Sequence, residues 1–145
     1  MFKEFLDRLL HPSAADQASI SLDMATAVLM VEVMAADHDW KDSEAEAIKR
    51  LLQSQFNLTT EDVDELFYEA RHAQQETNDL YTFTKQINAN FTKAQKYELL
   101  VNLWRVAYSD QHVAVYENHV IRRLADLLRL EHSQFIQAKQ EARKK

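Results

Sequence analysis

Residues 19–36 read SISLDMATAVLMVEVMAA, and between Met24 and Ala36 the only charged side chain is Glu32. Apolar residues recur at helical spacing on more than one face, with no two-residue alternation, so the stretch reads as a helix buried on several sides. Residues 92–109, TKAQKYELLVNLWRVAYS, have the same character, with Arg105 as the charge among their apolar residues. Two such helices must lie at the centre, because neither presents a polar face wide enough to meet solvent. Met24, Met30, Met34, Trp104 and Tyr108 then read as core filling.

Working outward, helical periodicity runs through almost the whole chain. The expected helices are Phe2–Leu10, Ser19–Ala36, Ser43–Gln55, Thr60–Gln75, Asp79–Asn88, Thr92–Ser109, Val115–Leu128 and Glu131–Arg143, eight in all. Capping chemistry marks several starts. Ser43-x-x-Glu46 and Thr92-x-x-Gln95 match the capping box, Thr59 or Thr60 suits a third N-cap, and Asp79 a fourth. The fold class is all-α, a single domain over residues 1–145. Residues 1–12 are expected to form an N-terminal extension whose short amphipathic helix docks on the core, the alternative being that its apolar face touches a membrane surface.

The chain also repeats itself. An offset of 73 superposes Val28 on Val101, Val33 on Val106, Asp37 on Asp110, Glu44 on Glu117, Ile48 on Ile121, Arg50 on Arg123 and Leu51 on Leu124. Dropping one residue before Leu58 aligns it with Leu130 and Glu69-Ala70-Arg71 with Glu141-Ala142-Arg143, giving 11 identities over 44 aligned positions. Average composition gives roughly 3 by chance. The two copies span about 28–71 and 101–143, and each reads as central helix, acidic loop, then two amphipathic helices. Their charges differ: residues 31–71 carry a net −7 and residues 103–145 a net +3. The offset also makes Glu32 and Arg105 equivalent, so the two either pair across a pseudo-two-fold axis or snorkel separately to the surface.

Composition removes many functions. With no glycine, the chain contains no P-loop, no dinucleotide-binding GxGxxG turn and no G-x-S-x-G elbow. With no cysteine, disulfides, thiolate metal sites and thiol catalysis are absent. A net charge of −6 without an internal basic run disfavours nucleic acid, and the tail Arg143-Lys144-Lys145 is expected to fray in solvent. No stretch reaches the about 18 apolar residues of a spanning helix, and the N-terminus lacks a signal peptide's features, so the expected location is the cytoplasm. Glu69-x-x-His72 resembles half of a di-iron ligand set, but the second pair and the two further glutamates are missing.

The remaining chemistry sits in the loops. The first reads Asp37-His38-Asp39-Trp40-Lys41-Asp42-Ser43-Glu44-Ala45-Glu46, a spacing of carboxylates that suits a hard divalent cation, calcium first. The alternative is that these acids cap a helix start and favour its macrodipole. In the second loop Asp110 and Glu117 persist, His112 stands where Asp39 does and Val115 where Asp42 does.

An all-α chain with an Ala-Asp…Glu loop ahead of Ile-x-Arg-Leu, present twice, resembles the tellurite-resistance TerB family and its TerB-like relatives. The resemblance covers roughly Ser19 to Arg143. It implies a compact helical domain without an enzymatic reaction, protein partners in stress-response complexes near the inner membrane, and a divalent cation held by acidic residues. Carried over by position, that implicates Asp37, Asp39 and Glu44 in the first half, and Asp110 and Glu117 in the second. Where the family usually has glycine after the first aspartate, this chain has His38 and Gln111. The leading expectation is a non-enzymatic binding or adaptor module. The alternative is a metal-dependent hydrolase or another enzyme using the same acidic loop.

Overall fold

The computed structural model describes residues 21–37, 42–77, 79–110 and 115–144. Among them are seven α-helices and no strand: α1 (Leu22–Met34), α2 (Asp42–Phe56), α3 (Thr60–Glu76), α4 (Tyr81–Asn90), α5 (Lys93–Ala107), α6 (Val115–Leu127) and α7 (His132–Arg143). Each falls on an expected helix, and the all-α reading holds. The expected helix Phe2–Leu10 lies outside the described residues.

Helix α1 is buried almost throughout, from Met24 to Met34 except at Glu32. It packs against α2, α3, α4, α5 and α6. Helix α5 is the second axis: Leu99, Leu100, Val101, Leu103, Trp104, Val106 and Ala107 are buried, and it packs against α1, α2, α6 and α7. The amphipathic helices supply one apolar stripe each, for example Ile48 and Leu52 from α2 or Phe135, Ala138 and Ala142 from α7. Together these side chains form one continuous core.

The repeat is visible in the elements. Helix α1 ends in a 3-10 turn, Ala35–Asp37, and α5 in another, Tyr108–Asp110, at the same 73-residue offset. Helices α2 and α6 begin at that offset too. One residue is then lost before the turn that follows each helix, so that the offset falls to 72. At the shortened offset Asn57 (φ 56°) and Arg129 (φ 61°) coincide, the two residues with left-handed backbone among those described. Each lets the following amide reach back to the helix, Leu58 N to Gln53 O at 3.2 Å and Leu130 N to Ala125 O at 3.0 Å. This is the helix-ending turn that most proteins build with glycine. Here side chains with a Cβ take the strain. Then α3 and α7 start at matching positions.

Two cap expectations change in detail. The Thr92–Gln95 box forms: Thr92 N–H donates to Gln95 Oε1 at 2.8 Å and Gln95 N–H to Thr92 Oγ1 at 3.1 Å. Thr59, not Thr60, caps α3, accepting from Asp62 N–H at 3.1 Å. The Ser43–Glu46 box does not form, because α2 already begins at Asp42 and Ser43 lies inside its first turn. Glu46 instead faces Lys49 Nζ at 3.7 Å, and Lys49 also reaches Asp64 on α3 at 3.4 Å. Leu80 takes the N-cap place of α4, while the Asp79 carboxylate accepts from Tyr81 N–H at 2.9 Å.

Helices α5 and α7 are tied by the Tyr97 hydroxyl, which donates to Glu141 Oε1 at 2.9 Å. Burial first, and the bond to the Glu141 carboxylate second, push the phenol up to about 12. The raised value favours the neutral phenol in the folded protein. That stability is complete below the ordinary value near 10 and is lost as pH rises through the folded one. Tyr97→Phe is therefore expected to flatten part of the alkaline fall in melting temperature between about pH 10 and pH 12, read by circular dichroism. Independently, Arg129→Gly is expected to stabilise by about 1 kcal/mol, because glycine relieves the left-handed strain. A higher denaturant midpoint with an unchanged slope checks it.

Candidate cation site at the acidic turns

The acidic loops begin where the central helices tighten. Ala35 N–H donates to Val31 O and Val33 O as α1 closes, and Tyr108 N–H likewise to Trp104 O and Val106 O as α5 does. Asp37 and Asp110 are the last residues of these two turns. Asp39 lies outside the described residues, as do His38, Gln111 and His112.

Glu44 and Glu117 are the third residues of α2 and α6, and both are completely buried. A carboxylate withdrawn from water needs compensating donors or charge. The first turn of a helix supplies part of that, through amides not yet engaged and the positive end of the macrodipole. Two equivalent buried glutamates, one in each copy, set these positions apart from Asp42, Glu46 and Tyr116, which are exposed.

The halves cross over at this point. The turn Ala35–Asp37 rests on α6, the helix of Glu117, and the turn Tyr108–Asp110 rests on α2, the helix of Glu44. The sequence grouping put Asp37 with Glu44 and Asp110 with Glu117. In the fold each turn meets the glutamate-bearing helix of the other copy. A duplication was the one signal in the sequence that allowed such an exchange, since local spacing says nothing about which half a loop touches. Among the described residues no three histidine, aspartate or glutamate side chains gather as metal ligands.

Glu32 and Arg105 do not pair. Glu32 Oε1 accepts from Gln74 Nε2 at 2.9 Å, tying α1 to α3, whereas Arg105 Nη1 donates to Asn102 Oδ1 at 2.8 Å on its own helix. Each charge thus stays with its own half. Met24, Met30, Met34 and Trp104 are core residues as expected, and Trp104 stacks on Tyr108 (ring centroids 5.9 Å apart) and meets Phe135 edge-on. Arg143 corrects another expectation: it is the last residue of α7 and not part of a frayed tail. Lys144 provides the cap, its amide donating to Glu141 O.

A doubled set of central helix, acidic turn and amphipathic helix pair, with a buried glutamate at the start of each first amphipathic helix, defines an all-α acidic-turn domain. The chain belongs to the TerB family: the model for tellurite resistance protein TerB matches residues 23–140. No curated protein and no solved structure matches the chain.

Since Glu32 and Arg105 have separate partners, a double-mutant cycle with Glu32→Ala and Arg105→Ala should be additive within about 0.5 kcal/mol in urea unfolding. A larger coupling would mean that the two charges act on each other.

Proposed function

We propose that this domain is a non-enzymatic binding module of the cytoplasm whose acidic turns take a divalent cation, calcium first, at low affinity. Asp37, Asp39, Glu44, Asp110 and Glu117 would supply the ligands. The observation that carries this reading is the crossing of the turns: each ends in an aspartate and lies on the helix that holds the other copy's buried glutamate. A cation that bridged a turn's aspartate and the glutamate of the helix it lies on would offset the repulsion between like charges. With His38 and Gln111 where the family usually has glycine, the loops lack its freedom to wrap a metal, so binding would be weak.

A protein partner suits the surface beside the same turns. Tyr116, next to Glu117 at the start of α6, is 66% exposed. Exposed tyrosines of this kind anchor protein interfaces. The net −7 of residues 31–71 against the net +3 of residues 103–145 adds a dipole that orients an approaching charged partner. Among the described residues no helix is long and apolar enough to cross a membrane, so a membrane-proximal role would run through a protein partner.

Calcium at millimolar concentration is expected to raise the melting temperature modestly, and more than sodium chloride of matched ionic strength does. At 100 times Kd the gain would be about 2.7 kcal/mol. With Kd on the order of 10⁻⁴ to 10⁻³ M it stays near 1 kcal/mol in practice. Asp37→Asn should remove most of the increment and Asp110→Asn less. Glu117→Gln should behave like Asp37→Asn. If calcium, magnesium and manganese all match the sodium control, the turns are capped helix starts and the cation reading fails.

A further inference from the structure

Beside the second turn lies an open groove of about 810 Å³, between α2, the turn Tyr108–Asp110 and the C-terminal end of α7. We propose that this groove binds a phosphate-bearing small anion, of pyrophosphate to nucleotide size, through Arg50, Arg105 and Arg143. Its volume lies inside the range of small-molecule sites. It stands apart from the acidic-turn reading, since it asks for an anion and not a cation.

The electrostatics are unusual for a chain of net charge −6. Arg50, Arg105 and Arg143 all line one groove, and among the described residues none of them is in an ion pair. Among the described residues the one carboxylate on the lining is that of Glu46, which is engaged by Lys49 at 3.7 Å. Arg105 is held against α5 by its bond to Asn102, while its Nε–H is buried without an acceptor. A buried donor left in that state is what a bound oxygen anion satisfies.

Both copies contribute to this charge, Arg50 from the first and Arg105 and Arg143 from the second. Arg50 corresponds to Arg123 and Arg143 to Arg71, but Arg105 corresponds to Glu32. The equivalent place in the first half therefore carries a carboxylate, already committed to Gln74. Of the three arginines, Arg105 is the one whose equivalent in the other copy is not an arginine.

Phosphate fits better than carboxylate on donor count. Each guanidinium offers five N–H groups in a fixed fork, and a terminal phosphate turns three oxygens on one centre toward them, where each planar carboxylate of a polyacid turns only two. A diphosphate has oxygens enough for all three. The Ser43 hydroxyl and the Tyr108 phenol also line the groove. Burial pushes the Tyr108 phenol upward although Arg143 draws it back, so it stays a neutral donor at physiological pH. Leu51 and Ala142 give an apolar wall for the rest of an organic phosphate.

The test uses the full chain labelled with ¹⁵N and follows the arginine Nε–Hε signals during titration with pyrophosphate, adenosine diphosphate and citrate at constant ionic strength. The Arg105 signal is expected to move and saturate with both phosphates, and citrate to bind at least threefold more weakly. Arg105→Glu, which restores the first half's charge, should weaken pyrophosphate at least tenfold. Arg50→Gln and Arg143→Gln change exposed side chains and should each cost at least threefold with an unchanged helical circular dichroism spectrum. Lys85→Gln, an exposed lysine on α4, removes the same charge elsewhere and should cost nothing. The proposal is overturned if the Arg105 signal does not saturate, if citrate equals pyrophosphate, or if Arg50→Gln and Arg143→Gln bind as Lys85→Gln does.

Discussion

Everything in this fold depends on enclosing α1. A helix that is apolar on every side has no face to give to water, so it is stable only inside a complete shell of other helices. Five helices supply that shell, three from its own copy or the linker after it and two from the other copy. The first copy cannot be an independent module, because α5 and α6 of the second are part of what covers α1. The one charged side chain near its end, Glu32, stays partly accessible and takes an amide donor from α3, which spares it an unpaired burial.

The helices were legible because their periodicity is strong and uninterrupted. The chain offers few competing signals, with one proline and no glycine to suggest breaks. Caps were legible where the side chain lay just outside the first turn, as at Thr59 and Thr92. They were misread at Ser43, where Asp42 starts the helix one residue earlier and leaves the serine no free position to cap. The burial of Glu44 and Glu117 was not legible, since an acid in a first turn looks the same whether it meets solvent or the other half. The partners of Glu32 and Arg105 were undecidable from equivalence alone. Gln74 and Asn102 win because they lie within one turn or one neighbouring helix of the charge, whereas a cross-axis pair needs two helices to converge at that level.

Duplication followed by divergence explains how one scaffold carries two halves of opposite net charge. The backbone solution is shared down to the left-handed residues that end α2 and α6, where neither copy uses glycine. Side chains then diverge by position. Trp104 fills in the second half the place that Val31 occupies in the first, and gathers Tyr108, Phe135 and the Lys139 ammonium, 5.1 Å from its ring centroid, around it. Those aromatic and cation contacts make the α5–α7 side the bulkier of the two. The first half keeps the acids, and the second keeps the bases.

The crossed turns also tie the two halves into a single thermodynamic clasp. Because Ala35–Asp37 leans on α6 and Tyr108–Asp110 leans on α2, opening either half takes a wall from both turns at once. Local unfolding of the two copies is thereby linked: fraying of either one removes packing from both turns. Two copies of a motif that might have melted separately are bound to open and close together.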